Sequence, residues 1–236
     1  MPRRFMEPRL IHGGALRLED RMTKASLNLD VVSDAVCPWC YIGKRNLDAA
    51  LAQLTDLQVT VNWRPFQLDP TIPREGISRH EYMARKFGPE KIGEIHTRLE
   101  GVGKAVGIDF AFDRIEKSPN TLNAHRLIRW SQSSGKQTQV VEALFNTYFT
   151  QGKDIGAQSV LTDIAAGAGL DAREIGAALQ TDHDEKDVQE EIATAMRMGV
   201  SGVPFFIIAG RYGMSGAQPP DMLADVIRKA STETEA

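Results

Sequence analysis

The two cysteines of the chain stand in Val36-Cys37-Pro38-Trp39-Cys40, where a strand-like apolar run meets a run with apolar residues at helical spacing. Upstream, Leu27-Asn28-Leu29-Asp30-Val31-Val32-Ser33 alternates and then turns β-branched; downstream, Tyr41 to Leu51 has helical periodicity. That junction dictates chemistry. Pro38 lacks an N–H and has a fixed φ, so it suits the first helical position, which makes Cys37 the N-cap and puts Cys40 in the first turn. The Cys37 sulfur is then expected beside unpaired backbone N–H groups at the positive end of the helix dipole, an environment that favours thiolate. One turn further on, Cys40 can close a disulfide with little backbone movement. Attack by Cys37 and resolution by Cys40 are the expected roles.

Two plainer uses of the pair compete. A structural disulfide across so short a loop gains little, because the chain-entropy contribution grows with loop length. Half a zinc site needs further ligands, and the chain has no other cysteine, while His12, His80, His96, His125 and His183 are scattered without paired spacing. No metal and no cofactor are implied.

At 236 residues the chain can hold one large or two small domains. With 42% apolar residues, 25% charged residues and a formal net charge of −3, it reads as an ordinary globular protein, and nucleic acid is not an expected partner. No run approaches the roughly 18 apolar residues of a membrane span. The first 26 residues carry five arginines but no apolar h-region, and Glu7, Glu19 and Asp20 argue against a transit peptide, so the expected location is cytoplasmic. Residues 1–26 carry a net +3, leaving about −6 for the remainder. We expect them to form a disordered N-terminal extension, with Met22 an alternative translation start to Met1.

Leu57 to Trp63 alternates strictly and predicts a second strand, parallel to the first through the intervening helix, after which Pro65, Pro70 and Pro73 leave the sheet. From Ser78 the pattern becomes helical. Ser78-Arg79-His80-Glu81 is a capping box opening a helix to Phe87, and Pro89 starts another to about Ala105. Ile108–Phe112 reads as a short extended piece, and Ser118-Pro119 as the start of a helix to Trp130. Helices are expected over Gln137–Phe149, Ser159–Ala168, Asp171–Leu179 and Asp184–Met198. Strands return at Pro204–Ile208 and Arg211–Ser215 around an Ala209-Gly210 turn, and Gln218-Pro219-Pro220-Asp221 opens a last helix. The expected division is a βαβ half over 27–77, a helical insertion over 78–185, a second half over 186–230 and a polar, frayed tail over 231–236.

Strand, CxxC and helix, with Gly202-Val203-Pro204 before a late strand, resemble the thioredoxin-like fold, an α/β fold of βαβ and αββα halves. The large all-helical insertion makes the likeness DsbA-like. Val36 to Arg45, Pro119-Asn120-Thr121-Leu122-Asn123-Ala124-His125-Arg126-Leu127 and Ser215-Gly216-Ala217-Gln218-Pro219 resemble the FrnE-like dithiol-disulfide oxidoreductases, over about Leu27–Ala230.

That resemblance implies a cis Val203-Pro204 bond beside the cysteines, with the Val203 backbone pairing an extended substrate and Pro38 and Trp39 contacting it. It implies catalysis by Cys37 and Cys40, and action on protein or low-molecular-weight disulfides, glutathione among them. Trp39 stands where DsbA has a histidine, so a milder oxidant is expected. Related enzymes carry an acid six residues before the first cysteine; Val31 stands there, with Asp30 and Asp34 nearby, leaving the proton acceptor for Cys40 open. Asn120 and His125 are candidate substrate-binding residues in a cleft beneath the insertion, or a helix cap and an interdomain histidine. Trp39, Phe66 and Tyr148 are candidate aromatic contacts. Three readings follow: an oxidoreductase or isomerase, a glutathione-dependent small-molecule isomerase or transferase, and a chaperone-like binder of unfolded chains. Relatives of the second kind generally have serine at the first cysteine position, which Cys37 contradicts. A homodimer is left open.

Overall fold

The computed structural model describes residues 26–233. The expectations for the N-terminal extension, including the choice between Met1 and Met22, lie outside the described residues. Strand β1 (Ser26–Ser33), helix α1 (Pro38–Ala52) and strand β2 (Gln58–Pro65) form the first βαβ unit. The chain ends with β5 (Phe205–Ile208), β6 (Tyr212–Ser215) and α9 (Pro220–Thr232). The four strands lie in the order β2-β1-β5-β6, with β1 parallel to β2 and antiparallel to β5.

The central position of β1 explains its pattern. Leu27 and Leu29 are buried with exposed neighbours, whereas Val31 and Val32 are both buried because this end of the strand is covered on both faces. Leu29, Val31, Phe206 and Ile208 join the core shared with α1 and α9, while Val32 packs with Phe66, Ala195 and Val200 on the opposite face. The β5–β6 hairpin turns at Ala209 and Gly210, both at positive φ (52° and 65°), as a primed turn requires.

Between the halves lie α2 (Arg79–Phe87), α3 (Ile92–Ala105), α4 (Leu122–Trp130), α5 (Gln137–Phe149), α6 (Gln158–Gly167) and α7 (Ala172–Leu179). Helix α8 (Glu185–Arg197) returns the chain to the sheet beside β2. Tyr41 of α1 reaches into the insertion, stacking on Phe145 at 5.1 Å and meeting Phe110 edge-on at 6.2 Å. Lys44 and Arg45 of α1 bind Glu142 of α5 at 2.7 and 2.6 Å, so the helix that carries the cysteines is tied to the insertion by aromatics and by charge.

Four local expectations are corrected. The helix expected from Pro119 begins at Leu122, because the Asn120 side chain accepts the Leu122 N–H at 2.9 Å and holds a turn ahead of it. Ile108–Phe112 joins no ladder. The extended pairing of the insertion instead joins β3 (Ile77–Ser78) to β4 (Lys117–Ser118), strands too short for periodicity to show, so the insertion is not purely helical. The expected frayed tail is helical as far as Thr232, with Ser231 buried and its Oγ donating to the Arg228 carbonyl at 2.7 Å.

Arg126, fully buried on α4, holds the insertion's far end together. It donates to the carbonyls of His183, Ala178 and Thr181 at 2.8, 2.8 and 2.9 Å, and to Asn123 Oδ1 at 2.8 Å. Removing it orphans carbonyls at the end of α7 and in the α7–α8 loop and leaves a void. Arg126→Ala is expected to cost about 3–5 kcal/mol, read as a lowered urea midpoint at unchanged m-value.

Candidate active site

Strand β1 ends at Ser33, and the turn Asp34-Ala35-Val36 delivers the chain to α1, with the Cys37 N–H bonded to the Asp34 carbonyl at 3.0 Å. Cys37 is the N-cap, extended at φ −92° and ψ 112°, and Pro38 is the first helical residue. Its sulfur makes no capping hydrogen bond to the helix; it instead donates to the Val203 carbonyl at 3.6 Å. Cys40 follows one turn on, and the two cysteines, both free thiols, approach to 3.3 Å. The Val203–Pro204 peptide is cis, and Gly216 N donates to the Pro204 carbonyl at 2.8 Å.

The two thiols occupy different surroundings. Cys37 lines a cavity of about 410 Å³ that also takes in Pro38, Trp39 and Val203 on one side and residues of α2 and α3 on the other. Both residues are buried, Cys37 at 3% and Cys40 at 1% exposure, but Cys40 lies behind Cys37 and does not line the cavity. Burial, then the neighbouring Cys37, pushes the Cys40 thiol well above the ordinary thiol range; the Asp34 backbone and the Ser33 hydroxyl pull weakly the other way. Cys40 therefore keeps its proton while Cys37 faces the opening.

The remaining expected site residues separate. Val203, Pro38 and Trp39 are on the cavity wall, and Trp39 carries the Arg98 guanidinium over its ring at 5.7 Å. Pro204 packs beneath, against α1. Asn120 and His125 are not on the cavity wall. Asn120 staples three segments, donating to the Ile72 carbonyl at 2.6 Å and accepting from Gln67 at 3.2 Å as well as from Leu122. His125 is 3% exposed, its Nε2 2.8 Å from the Phe66 carbonyl and 3.4 Å from Asp34 Oδ1. The late start of α4 leaves Thr121, rather than His125, on the cavity side. Of the expected aromatic contacts, Tyr148 is buried but touches the cavity, and Phe66 is core.

Asp34, Arg79, Lys86, His96 and Arg98 also line the cavity, and sequence reading assigned none of them a role. Only Asp34 carried a signal, its closeness to Cys37. Among the described residues no cluster of three or more His, Cys, Asp or Glu could hold a metal, and no helix is long and apolar enough to cross a membrane.

A four-stranded sheet of this order, with a dithiol at the N-terminus of α1 and a cis-proline opposite it, defines a thioredoxin-fold protein with a helical insertion. Residues 28–228 match the DsbA-like thioredoxin domain, and the chain belongs to that family. It is 26% identical over 204 residues to the uncharacterized protein YwbO of Bacillus subtilis, covering 86% of this chain and 96% of that one. A probable DsbA oxidoreductase of Streptomyces coelicolor superposes with a TM-score of 0.81 at 28% identity, over 88% of this chain and 91% of the other. A 2-hydroxychromene-2-carboxylate isomerase superposes at 0.67 with 16% identity, over 88% and 98% of the two chains, a likeness of fold.

Two outcomes test this geometry. A Cβ on Gly43 would stand 2.9 Å from Pro204 Cγ, closer than packing allows, so Gly43→Ala is expected to cost about 1–3 kcal/mol and to slow disulfide exchange by parting Cys37 from Val203. Thermal melts and exchange rates on one sample check both. Because the folded-state pKa of Cys40 lies above its unfolded value near 9.0, its contribution is intact below about pH 9 and lost as pH rises beyond it. Reduced wild-type protein should lose about 1.4 kcal/mol per pH unit more than Cys40→Ala from about pH 9 upward, measured by urea unfolding at stepped pH.

Proposed function

We propose that the protein is a cytoplasmic thiol-disulfide oxidoreductase or isomerase of the FrnE-like kind, acting on protein or low-molecular-weight disulfides, glutathione disulfide among them. The observation that carries the reading is the asymmetry of the dithiol: Cys37 opens to a cavity and Cys40 lies buried 3.3 Å behind it.

The Cys37 thiolate attacks one sulfur of the substrate disulfide, forming a mixed disulfide and releasing the other sulfur as thiolate, which takes up a proton. The helix N-terminus supports negative charge on the attacking sulfur. Cys40 then loses its proton and attacks the Cys37 sulfur; the second substrate thiol leaves and the Cys37–Cys40 disulfide closes. The substrate is reduced by two electrons and the dithiol is oxidised by two. Run backwards, the same steps oxidise a substrate dithiol, and release before closure gives isomerisation. The Val203 carbonyl, adjacent to Cys37 Sγ, is placed to pair with an extended substrate as an added strand, and Pro204 offers the intermediate no N–H.

Cys37→Ser is expected to bring reduction of insulin disulfides by dithiothreitol down to the uncatalysed rate; retained catalysis overturns the reading. Cys40→Ala is expected to accumulate mixed disulfides, seen as mass adducts that dithiothreitol removes. A reduction potential near thioredoxin's, about −270 mV, would make the protein a reductase, and one near DsbA's, about −120 mV, an oxidant.

A further inference from the structure

Three cations line the cavity beside Cys37, Arg79 and Lys86 of α2 and Arg98 of α3, against two acids, Asp34 and Asp69. The Thr71 hydroxyl, helped by Lys86, holds the Asp69 carboxyl below its usual range. None of the three cations has a carboxylate within 4.0 Å among the described residues. Each is held by aromatic side chains instead. Arg98 lies over Trp39 at 5.7 Å, Lys86 donates to the Tyr82 hydroxyl at 2.8 Å from the edge of that ring, and Arg79 is 5.9 Å from both Phe112 and Tyr148 while donating to the Tyr148 hydroxyl at 3.2 Å. Arg79 is half-buried, while Lys86 and Arg98 are exposed at the rim of the cavity; the half-buried Arg45 and Arg129, by contrast with Arg79, are paired with Glu142 and Glu191.

The two acids on the same wall are turned to protein partners. Asp69 accepts from Thr71 N at 3.0 Å, and Asp34 Oδ2 accepts from Leu68 N at 2.8 Å. Asp34 Oδ1 faces His125 Nε2 at 3.4 Å, away from the opening, whereas His96 Nε2 is buried on this wall without a hydrogen bond, a cost of about 1–3 kcal/mol that water or a ligand's polar group would offset. Between the polar groups the surface is apolar, with Ile72, Met83 and Leu99 buried along it. A volume of about 410 Å³ is that of a small-molecule site.

Resting on the oxidoreductase reading above, we infer that this cavity selects small disulfides that carry carboxylates, seating their anionic ends against Arg79, Lys86 and Arg98 while one sulfur meets Cys37. The exchange is the one already written: one S–S bond of the small disulfide breaks, the Cys37–Cys40 bond forms, and two carboxylate thiols leave with the two protons of the dithiol. Held by rings and tyrosine hydroxyls rather than by a carboxylate within 4.0 Å, these cations can turn to an anion without breaking an ion pair. Extended polypeptides would instead pair along the Val203 backbone, at the Cys37 side of the cavity and away from α2 and α3.

The test is a single turnover with pre-reduced full-length protein, so that no regenerating reductant is present. The probes are 3,3′-dithiodipropionate (anionic), 2-hydroxyethyl disulfide (neutral) and cystamine (cationic), each rate divided by that of free dithiothreitol with the same disulfide. The anionic probe is expected to lead the neutral one by about tenfold at low salt, and the cationic one to trail. The lead should shrink at 0.5 M salt and fall at least threefold in Arg98→Glu and in Lys86→Glu. Because each ratio is taken within one variant, partial loss of folded protein cancels. Equal normalised rates for the three probes, or a ratio unmoved by both charge reversals, overturns the inference while leaving the oxidoreductase reading intact. Failure of every probe to oxidise the wild-type dithiol, or oxidation by an unchanged route in Cys37→Ser, overturns the oxidoreductase reading instead.

Discussion

The site depends on how closely α1 approaches Pro204. Gly43, one turn beyond the cysteines, faces the proline ring at a distance that has no room for a methyl group. That contact sets the separation between the start of α1 and the loop before β5, and hence the 3.6 Å between Cys37 Sγ and the Val203 carbonyl. The sheet supplies the rest of the frame. β1 delivers Cys37 from one side and β5 leaves Pro204 on the other, and the two strands are locked as neighbours by the Val32–Phe205 and Val31–Phe206 register. Neither residue of the pair can shift alone.

The insertion is held by the same helix. Tyr41, immediately after Cys40, is 2% exposed and packs into Phe110, Phe145 and Phe149, while Lys44 and Arg45 bind Glu142. α1 is thus buried on the sheet side, on the proline side and on the insertion side. A helix enclosed so fully can hold a reactive N-terminus in place only because the cavity between α2, α3 and Trp39 leaves that end open. The insertion closes over the dithiol from one direction and gives access from another.

The sequence revealed those parts of the molecule whose local pattern matched their surroundings. The CxxC between strand and helix, the alternating second strand and the late hairpin with its Ala209-Gly210 turn each carry their conformation in four to eight residues. For Asn120 and His125 the sequence left two uses open, and the structure has the geometry of the plainer one, an Asn120 side chain that takes the Leu122 N–H ahead of the helix and a buried His125 against the Phe66 carbonyl. Arg79, Lys86 and Arg98 gave no signal at all. A cation on an amphipathic helix looks the same whether it faces bulk water or a cavity; only the packing of α2 and α3 against Trp39 distinguishes the two.

The electrostatics of the dithiol impose an order on its chemistry. Burial is the largest reason that Cys40 holds its proton, and it persists throughout the reaction. The next two causes, the hydrogen bond and the charge interaction, both come from the neighbouring Cys37 sulfur. In the reduced protein Cys40 is therefore held protonated. In the proposed mixed disulfide Cys37 would carry no charge, leaving burial on one side and the Ser33 hydroxyl and Asp34 backbone, which favour ionised Cys40, on the other. A pair of cysteines equally exposed to solvent would have no such order, since either could attack first. With one thiol at the cavity and the other beneath it, on a helix packed against Pro204, the proposed exchange has a distinct attacking sulfur, Cys37, and a distinct resolving one, Cys40.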